Sequence, residues 1–466
     1  MAPPADRPAT GAEAGRAARK RLPRGAHGRW APAEDRADPV ALLAAQDRTR
    51  VPALVPVRYG RMLESAFTFY RGAAAIMAAD LGAAPDTGLT VQLCGDAHLS
   101  NFGVFQAPDR HLVFDVNDFD ETLPGPFEWD VKRLAASFEI GGRDRGFDED
   151  QRQASARAAA GSYRRAMAGF AAIGDLELWY TRLDVEEASR DWVDQVSASQ
   201  RRRFDRALTK ARNKDSLRAL AKLTEDHDGR PRIADRPPVL VPLAKLTGDL
   251  DPTAVEAGIR RLLDRYAATL EPQNRRLAER YRYEDAGHKV VGVGSVGTHA
   301  WIVLLLGELH GDPLFLQVKE ASASVLEPYA GASAFAHHGQ RVVVGQRLMQ
   351  ATGDVLLGWL DADDVGTVGE RQYYVRQLWD GKGSAAIEAI EPEAMVRYAE
   401  LCGWTLARAH ARSGDRAAIA AYLGGGDRFD RAMVAFAAAY ADRNEADHRA
   451  LLAAEQRGAI AVERGV

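Results

Sequence analysis

Cysteine is nearly absent: Cys94 and Cys402 are the only two in 466 residues, and they form no Cys-x-x-Cys pair. That excludes a disulfide framework and a thiolate zinc site, and fits a reducing, cytoplasmic setting. No apolar run approaches the roughly 20 residues of a membrane-spanning helix. The longest, around Ala300 to Leu306, has the length of a strand. Positive charge is not in excess, because 61 Lys and Arg face 65 Asp and Glu for a net charge of −4. The chain as a whole therefore lacks the field of a dedicated nucleic-acid binder, and neither a membrane nor a specific nucleic acid is expected as partner. Internal repeats are missing too. With 46% hydrophobic and 27% charged residues, the composition excludes a fibrous or wholly disordered chain.

Residues 1–38 are rich in Ala, Pro and Arg, and every charge from Arg16 to Arg29 is positive. This predicts a disordered basic arm, with no apolar h-region of a secretory signal. Helical periodicity begins at Arg58, where Met62, Phe67, Phe69 and Tyr70 lead into Ile76 and Met77. Residues 89–93 and 112–114 read as strands around a polar loop. From 126 to 223 the pattern is helical again, and Arg201, Arg202, Arg203, Lys210, Arg212 and Lys214 read as a solvated face. Pro231, Pro237, Pro238 and Pro242 turn 226–242 into an expected loop. Helix resumes over 251–283, with Pro252 suited to its first turn.

From Lys289 the period becomes that of strands, at 289–293, 298–306 and 314–318. Residues 340–350 read as helix, 355–360 and 372–378 as extended, and the chain beyond Ser384 as helix. The fold class is α+β, with a β-rich block at 285–384 between helical blocks at 39–284 and 385–466.

Two stretches carry chemistry. The first is Gly95-Asp96-Ala97-His98-Leu99-Ser100-Asn101, followed by Phe114-Asp115-Val116-Asn117-Asp118-Phe119-Asp120-Glu121. Carboxylates and an asparagine in two loops flanking one hairpin are the oxygen-rich set that a hard cation takes. Turn formation alone explains one such loop, not two. Asp96 and Asn101 stand at the D-x-x-x-x-N spacing of a kinase catalytic loop, where Asp takes the acceptor proton and Asn holds magnesium. The second stretch, Gly292-Val293-Gly294-Ser295-Val296-Gly297-Thr298, is a G-x-G-x-x-G that suits a dinucleotide fold or a phosphate-covering loop. A dinucleotide fingerprint runs directly into a helix. Here His299-Ala300-Trp301-Ile302-Val303-Leu304 is β-branched and aromatic, and a turn and another strand follow. That strand ends at Val318-Lys319-Glu320, which gives Lys319 the place of the lysine that pairs with the α- and β-phosphates.

The Gly95 to Asn101 stretch resembles the Gly-Asp-x-His-x-x-Asn signature of aminoglycoside phosphotransferases and their choline-kinase-like relatives. The resemblance implies that Asp118 is the metal-binding Asp of the second motif, with Asp115 and Asp120 as rivals. It also implies that Asp130, twelve positions after Asp118, opens a buried helix and braces the catalytic loop. Leu406-Ala407-Arg408-Ala409-His410 is similar to the Leu-Ala-x-x-His that closes the helix before that loop. The parts occur in reversed order, which circular permutation resolves: 285–384 becomes the nucleotide lobe, 380–384 the hinge, and 393–412 the helix preceding the catalytic loop. Together with Arg58-Tyr59-Gly60-Arg61-Met62 and Phe69-Tyr70-Arg71-Gly72, these stretches resemble a bacterial family known only as a domain of unknown function, over about residues 45 to 450. That resemblance implies a fold and no substrate.

The expected architecture is a two-lobed protein-kinase-like fold, circularly permuted, with a β-rich nucleotide lobe and a helical large lobe completed by 385–466. The helix at 340–350 offers no Glu to Lys319; Glu327 is the nearest acidic candidate and Gln346 the one obvious amide. The expected activity is transfer of the ATP γ-phosphoryl group to a hydroxyl or amine of a small-molecule acceptor. Asp96 orients or deprotonates the acceptor, Asn101 and Asp118 hold Mg²⁺, and His98 orders the loop. Lys319 positions the phosphates together with Gly292, Gly294, Ser295, Gly297 and Thr298. A nucleotide-binding pseudokinase and an AMP transferase would use the same groups. A metallophosphoesterase, suggested by Asp96-Ala97-His98, needs a Gly-Asn-His element, and the chain has no Gly-Asn pair. The architecture requires Gly294 and Asp96 to face one cleft.

Overall fold

A computed structural model describes residues 10–187, 206, 209, 216–248, 250–290, 292, 294, 296–362, 371–378 and 383–465. Ser295, positions 380–382 of the hinge expected at 380–384, and the basic residues Arg201, Arg202, Arg203, Lys210, Arg212 and Lys214 lie outside the described residues.

The strand-period segments build a six-stranded antiparallel sheet. Its spatial order is Gly358–Asp361, Gln372–Gln377, Pro313–Glu320, Ala300–Gly307, Tyr281–Lys289 and Leu240–Pro242. After Pro313–Glu320 the chain passes through the helix His338–Met349, forms the edge strand Gly358–Asp361, and returns as Gln372–Gln377 between the two. Both sheet faces are covered. Val303, Leu305, Leu314 and Leu316 pack against Tyr266 and Leu270; Ile302, Leu304 and Phe315 face Ala219, Leu223 and Ile233. Burial on two faces explains the unbroken apolar run of the central strand.

This arrangement corrects the expected boundary at residue 285. The helices Ser216–Leu223 and Pro252–Ala268 cover the sheet, although they fall in the block assigned to the helical lobe. Helical periodicity shows that a face is buried but not what covers it. The proline-rich loop is likewise a hairpin, Thr224–His227 with Arg230–Ile233, followed by the edge strand Leu240–Pro242. Its prolines are tolerated because edge and hairpin positions do not need every backbone N–H.

The helical body consists mainly of Phe127–Asp144, Glu149–Phe170, Pro392–Ala411 and Arg428–Gln456, with Leu134, Phe138, Tyr163, Met167, Leu406 and Phe436 in its core. Gly403 lets two of these helices touch, since a Cβ there would overlap the Ala159 carbonyl. A four-stranded sheet built on the hairpin Phe102–Gln106 and Leu112–Val116 lies beside it. Among the described residues no helix is long and apolar enough to cross a membrane.

The arm expected to be disordered is ordered from residue 10. Thr10 and Glu13 form a capping box on the helix Gly11–Arg21. Gly15 and Ala18 approach the helix Arg416–Leu423 closely, and Arg19 and Arg24 donate to the carbonyls of Ala421, Tyr422 and Leu423 at its C-terminal end. Composition missed this for two reasons. Small residues allow close contact without apolar bulk, and the positive charges meet helix-end acceptors rather than solvent. Trp30 then packs on Phe436 and Tyr440. Arg36 fastens the arm by donating to Asp80 at 2.6 and 2.8 Å and to Asp447 at 2.6 and 3.0 Å. Replacing it by Met leaves buried Asp80 without a cation and Asp447 with Arg443 alone. Arg36→Met should therefore lower stability by about 3–5 kcal/mol, read as a lower urea midpoint; a change within about 0.5 kcal/mol would show that the arm is peripheral.

Candidate functional site

The strand Thr90–Leu93 pairs with Leu123–Pro126, so the start of the Asp96 loop and the end of the acidic loop are neighbours. Gly95 has φ +84°, and a Cβ on it would collide with the Glu121 backbone, so glycine is required there. Asp130, in the first turn of Phe127–Asp144, accepts from Cys94 N at 2.8 Å and Gly95 N at 3.1 Å. His410 Nε2 lies 3.1 Å from the same carboxylate, and Tyr163 Oη lies 2.9 Å from His410 Nδ1. The two residues implicated by separate motifs, 280 positions apart, thus meet beneath one loop.

Inside the loop, Asn101 Nδ2 donates to the Asp96 carbonyl at 2.8 Å and Ser100 N donates to His98 Nδ1 at 3.2 Å. Burial pushes the His98 imidazole well below its usual pKa, which suits a neutral, loop-ordering side chain. Asp96 itself is paired. Arg133 Nε donates to it at 2.7 Å, and the Arg133 guanidinium lies 4.0 Å over the Tyr70 ring. Burial raises the Asp96 pKa while Arg133, and then Arg71, oppose that rise.

Arg71 also links this loop to the glycine turn. A Cβ on Gly294 would lie 3.4 Å from the Arg71 carbonyl oxygen. Arg61 donates to the Gly292 carbonyl at 2.9 Å, and Val51 N donates to that of Gly297 at 2.7 Å. The turn therefore rests on residues 51–71, the segment whose Tyr70 and Arg71 reach the Asp96 surroundings. Thr298 follows the turn just ahead of the strand Ala300–Gly307.

The acidic loop separates its rival carboxylates by their partners. Asp115 forms a buried ion pair with Arg408 of the Pro392–Ala411 helix. Asp120 is ion-paired to Lys319 and accepts from Tyr374 Oη at 2.7 Å. Burial alone would raise the Asp120 pKa, but Lys319 and Tyr374 outweigh it and hold it below the usual value. Burial likewise works against the charge on Lys319, and Asp120 overcomes it and holds that pKa high. Asp118 forms no ion pair with any described residue; its Oδ1 accepts from Asp120 N at 3.2 Å. Burial, and then the Asp120 charge, raise its pKa.

Asp118 is thus the one of the three carboxylates left for a cation. Asn101, whose amide nitrogen is engaged, offers its amide oxygen. Among the described residues no group of three His, Cys, Asp or Glu side chains could hold a metal ion. Mg²⁺ commonly takes only one or two protein carboxylates and completes its shell with phosphates and water.

The partner expected for Lys319 is corrected. Glu327 Oε1 accepts from Ser324 N at 3.1 Å, and Gln346 bonds Gln350 at 3.0 Å. The helix His338–Met349 instead carries Arg341, which donates to the carbonyls of Thr122, Asp120 and Ser322 at 2.7, 2.8 and 2.8 Å. Sequence reasoning missed Arg341, Arg133 and Tyr374. An arginine beside Val342 and Val343 in a core-forming helix was a usable signal for the first. The three-residue step from Asp130 to Arg133, which shares a helix face, was one for the second. Nothing local marks Tyr374.

A family model described as "Uncharacterized protein conserved in bacteria (DUF2252)" matches residues 50–454. No curated protein and no solved structure matches the chain.

Glu121 gives the loop a pH dependence. Its Oε2 accepts from Val325 N at 2.7 Å, and burial pushes its pKa from 4.5 up to about 7. The folded chain then holds a proton that the unfolded chain has released, so stability falls as pH rises from 4.5 to about 7. Glu121→Gln removes this term. Its melting temperature relative to wild type should rise between about pH 5 and about pH 8, whereas parallel curves would show that Glu121 ionises normally.

Proposed function

We propose a function for this chain, which belongs to the bacterial family DUF2252: it is an ATP- and Mg²⁺-dependent phosphotransferase on a circularly permuted, two-lobed protein-kinase-like fold. One observation carries the reading. Lys319, on the third strand of the glycine-turn sheet, is ion-paired to Asp120 of the acidic loop, 199 residues away in sequence. That contact joins the segment suited to phosphates with the segment suited to a cation and an acceptor. A helix following the lysine strand and an edge strand before Gln372–Gln377 further support it.

In this reading the glycine turn and Lys319 hold the triphosphate, and Arg341 keeps the acidic loop in register. Asn101 and Asp118 would hold Mg²⁺, which supplies charge neutralisation at the phosphates. Asp96 orients the acceptor hydroxyl or amine and receives its proton as the acceptor attacks the γ-phosphorus. The bond to the bridging oxygen breaks and ADP leaves. Arg133 fixes the Asp96 carboxylate and tempers its basicity, so positioning contributes more than proton affinity. The acceptor proposed is a small molecule.

A second reading, a nucleotide-binding pseudokinase, draws support from the same Arg133 pair and from the missing helix glutamate. Phosphorus NMR with Mg-ATP separates the outcomes: ADP and a new phosphoester or phosphate signal mark phosphoryl transfer, pyrophosphate marks AMP transfer, and binding without turnover marks the pseudokinase. Asp118→Ala and Asn101→Ala should weaken Mg²⁺-dependent thermal stabilisation by ATP. Asp96→Ala should keep that stabilisation and lower turnover by about a hundred- to ten-thousand-fold. Lys319→Met should impair both. Absence of any magnesium-dependent stabilisation at millimolar ATP would end the nucleotide reading.

A further inference from the structure

A cavity of about 510 Å³ lies between the arm and the helical body, and no residue of the Asp96 or acidic loops lines it. Its wall is apolar where Leu22, Trp30, Leu42 and Ala79 meet. Lys132 is different. It lines the cavity, is only 3% exposed, and its ammonium makes no hydrogen bond or ion pair with any described residue. The Phe436 ring lies 5.1 Å from it.

The surrounding charges do not satisfy it. Asp80 is engaged by Arg36 and Tyr440. Glu128, one helical turn back, accepts from Thr87 N at 2.6 Å and Thr87 Oγ1 at 2.8 Å, beyond ion-pair reach of Lys132. Asp35 and Arg29 stand exposed at the rim. A buried ammonium with unused donors is costly unless something in the cavity meets it. The volume lies in the range of small-molecule sites, and an apolar wall beside one buried ammonium without an ion-pair partner selects both the body and the head of a ligand.

We propose that this cavity binds a small amphipathic anion, a carboxylate on an aliphatic body, with the carboxylate on Lys132 and the chain along Leu22, Trp30 and Leu42. The site stands independently of the phosphotransferase reading.

Thermal shift and calorimetry on the full chain without nucleotide test it, with octanoate, octan-1-ol and inorganic phosphate as probes. Octanoate should stabilise the protein saturably and bind at least about tenfold more tightly than either of the others, because only it offers both parts. Lys132→Met should weaken octanoate at least about tenfold and leave octanol unchanged. Should that variant not fold, Ala83→Trp decides, since it fills the rim without touching the ammonium. Equal binding of octanol or phosphate, no saturable octanoate binding, or octanoate affinity unchanged in the variant that folds would each overturn the proposal.

Discussion

Carboxylates crowded into a protein interior repel one another and take up protons unless each meets its own cation. The segments around Asp96 and from Asp115 to Glu121 impose that constraint on the whole fold. Asp96 is matched by Arg133, Asp115 by Arg408 and Asp120 by Lys319, while Arg341 binds the loop's carbonyls beside Glu121. These cations come from four separate stretches of chain. One lies on the first long helix, one on the six-stranded sheet, one on the helix that follows it, and one on the Pro392–Ala411 helix. The acidic loop is therefore where sheet and helical body are joined, and the join is electrostatic as well as apolar. Removing one partner of such a buried pair costs more than the pair itself contributes, because the other charge is stranded.

The same arrangement leaves a surplus that matters chemically. With Asp115 and Asp120 spent, Asp118 keeps a raised pKa and no ion pair among the described residues, the condition in which a carboxylate gains most from a cation. Lys319 is the converse case. Under the phosphotransferase reading a triphosphate would compete with Asp120 for it, so nucleotide binding would have to loosen the contact that joins the two parts of the chain. Arg341 supplies what then holds the loop. Its bonds run to backbone carbonyls, which do not change with the charge state of Asp120.

How much of this was legible in the sequence depends on whether the signal was local. The Gly95 to Asn101 loop, the strand character of 300–306 and the bracing of that loop by Asp130 followed from motifs a few residues long, while the meeting of Asp130 with His410 came only from the structure. The partner of Lys319 did not, because Asp120 lies 199 positions away and no spacing rule connects them. Nor did the covering of the sheet by Pro252–Ala268: Tyr266 and Leu270 advertise a buried face, and only the sheet's second apolar face says what buries it. The arm failed for the opposite reason. Its residues look soluble one by one, yet Arg19, Arg24 and Arg36 are all consumed by acceptors elsewhere in the fold.

Chain order constrains this architecture less than it first suggests. The short strand Gly383–Ser384, just after the described part of the sheet, pairs with Phe102–Gln106, so the passage from sheet to helical body is tied to the hairpin that follows the Asp96 loop. The helix Gly11–Arg21 packs on Arg416–Leu423, and Glu463 N donates to the Pro56 carbonyl at 2.9 Å. Segments remote in sequence thus converge on the helical body, and the ion pairs that join the loops of the site to the rest of the fold are made between surfaces rather than between neighbours along the chain. Under the proposed reading, a permuted order would change which loops must close and leave the side-chain pairs intact. Asp130 can meet His410 from before it in sequence as well as from after it.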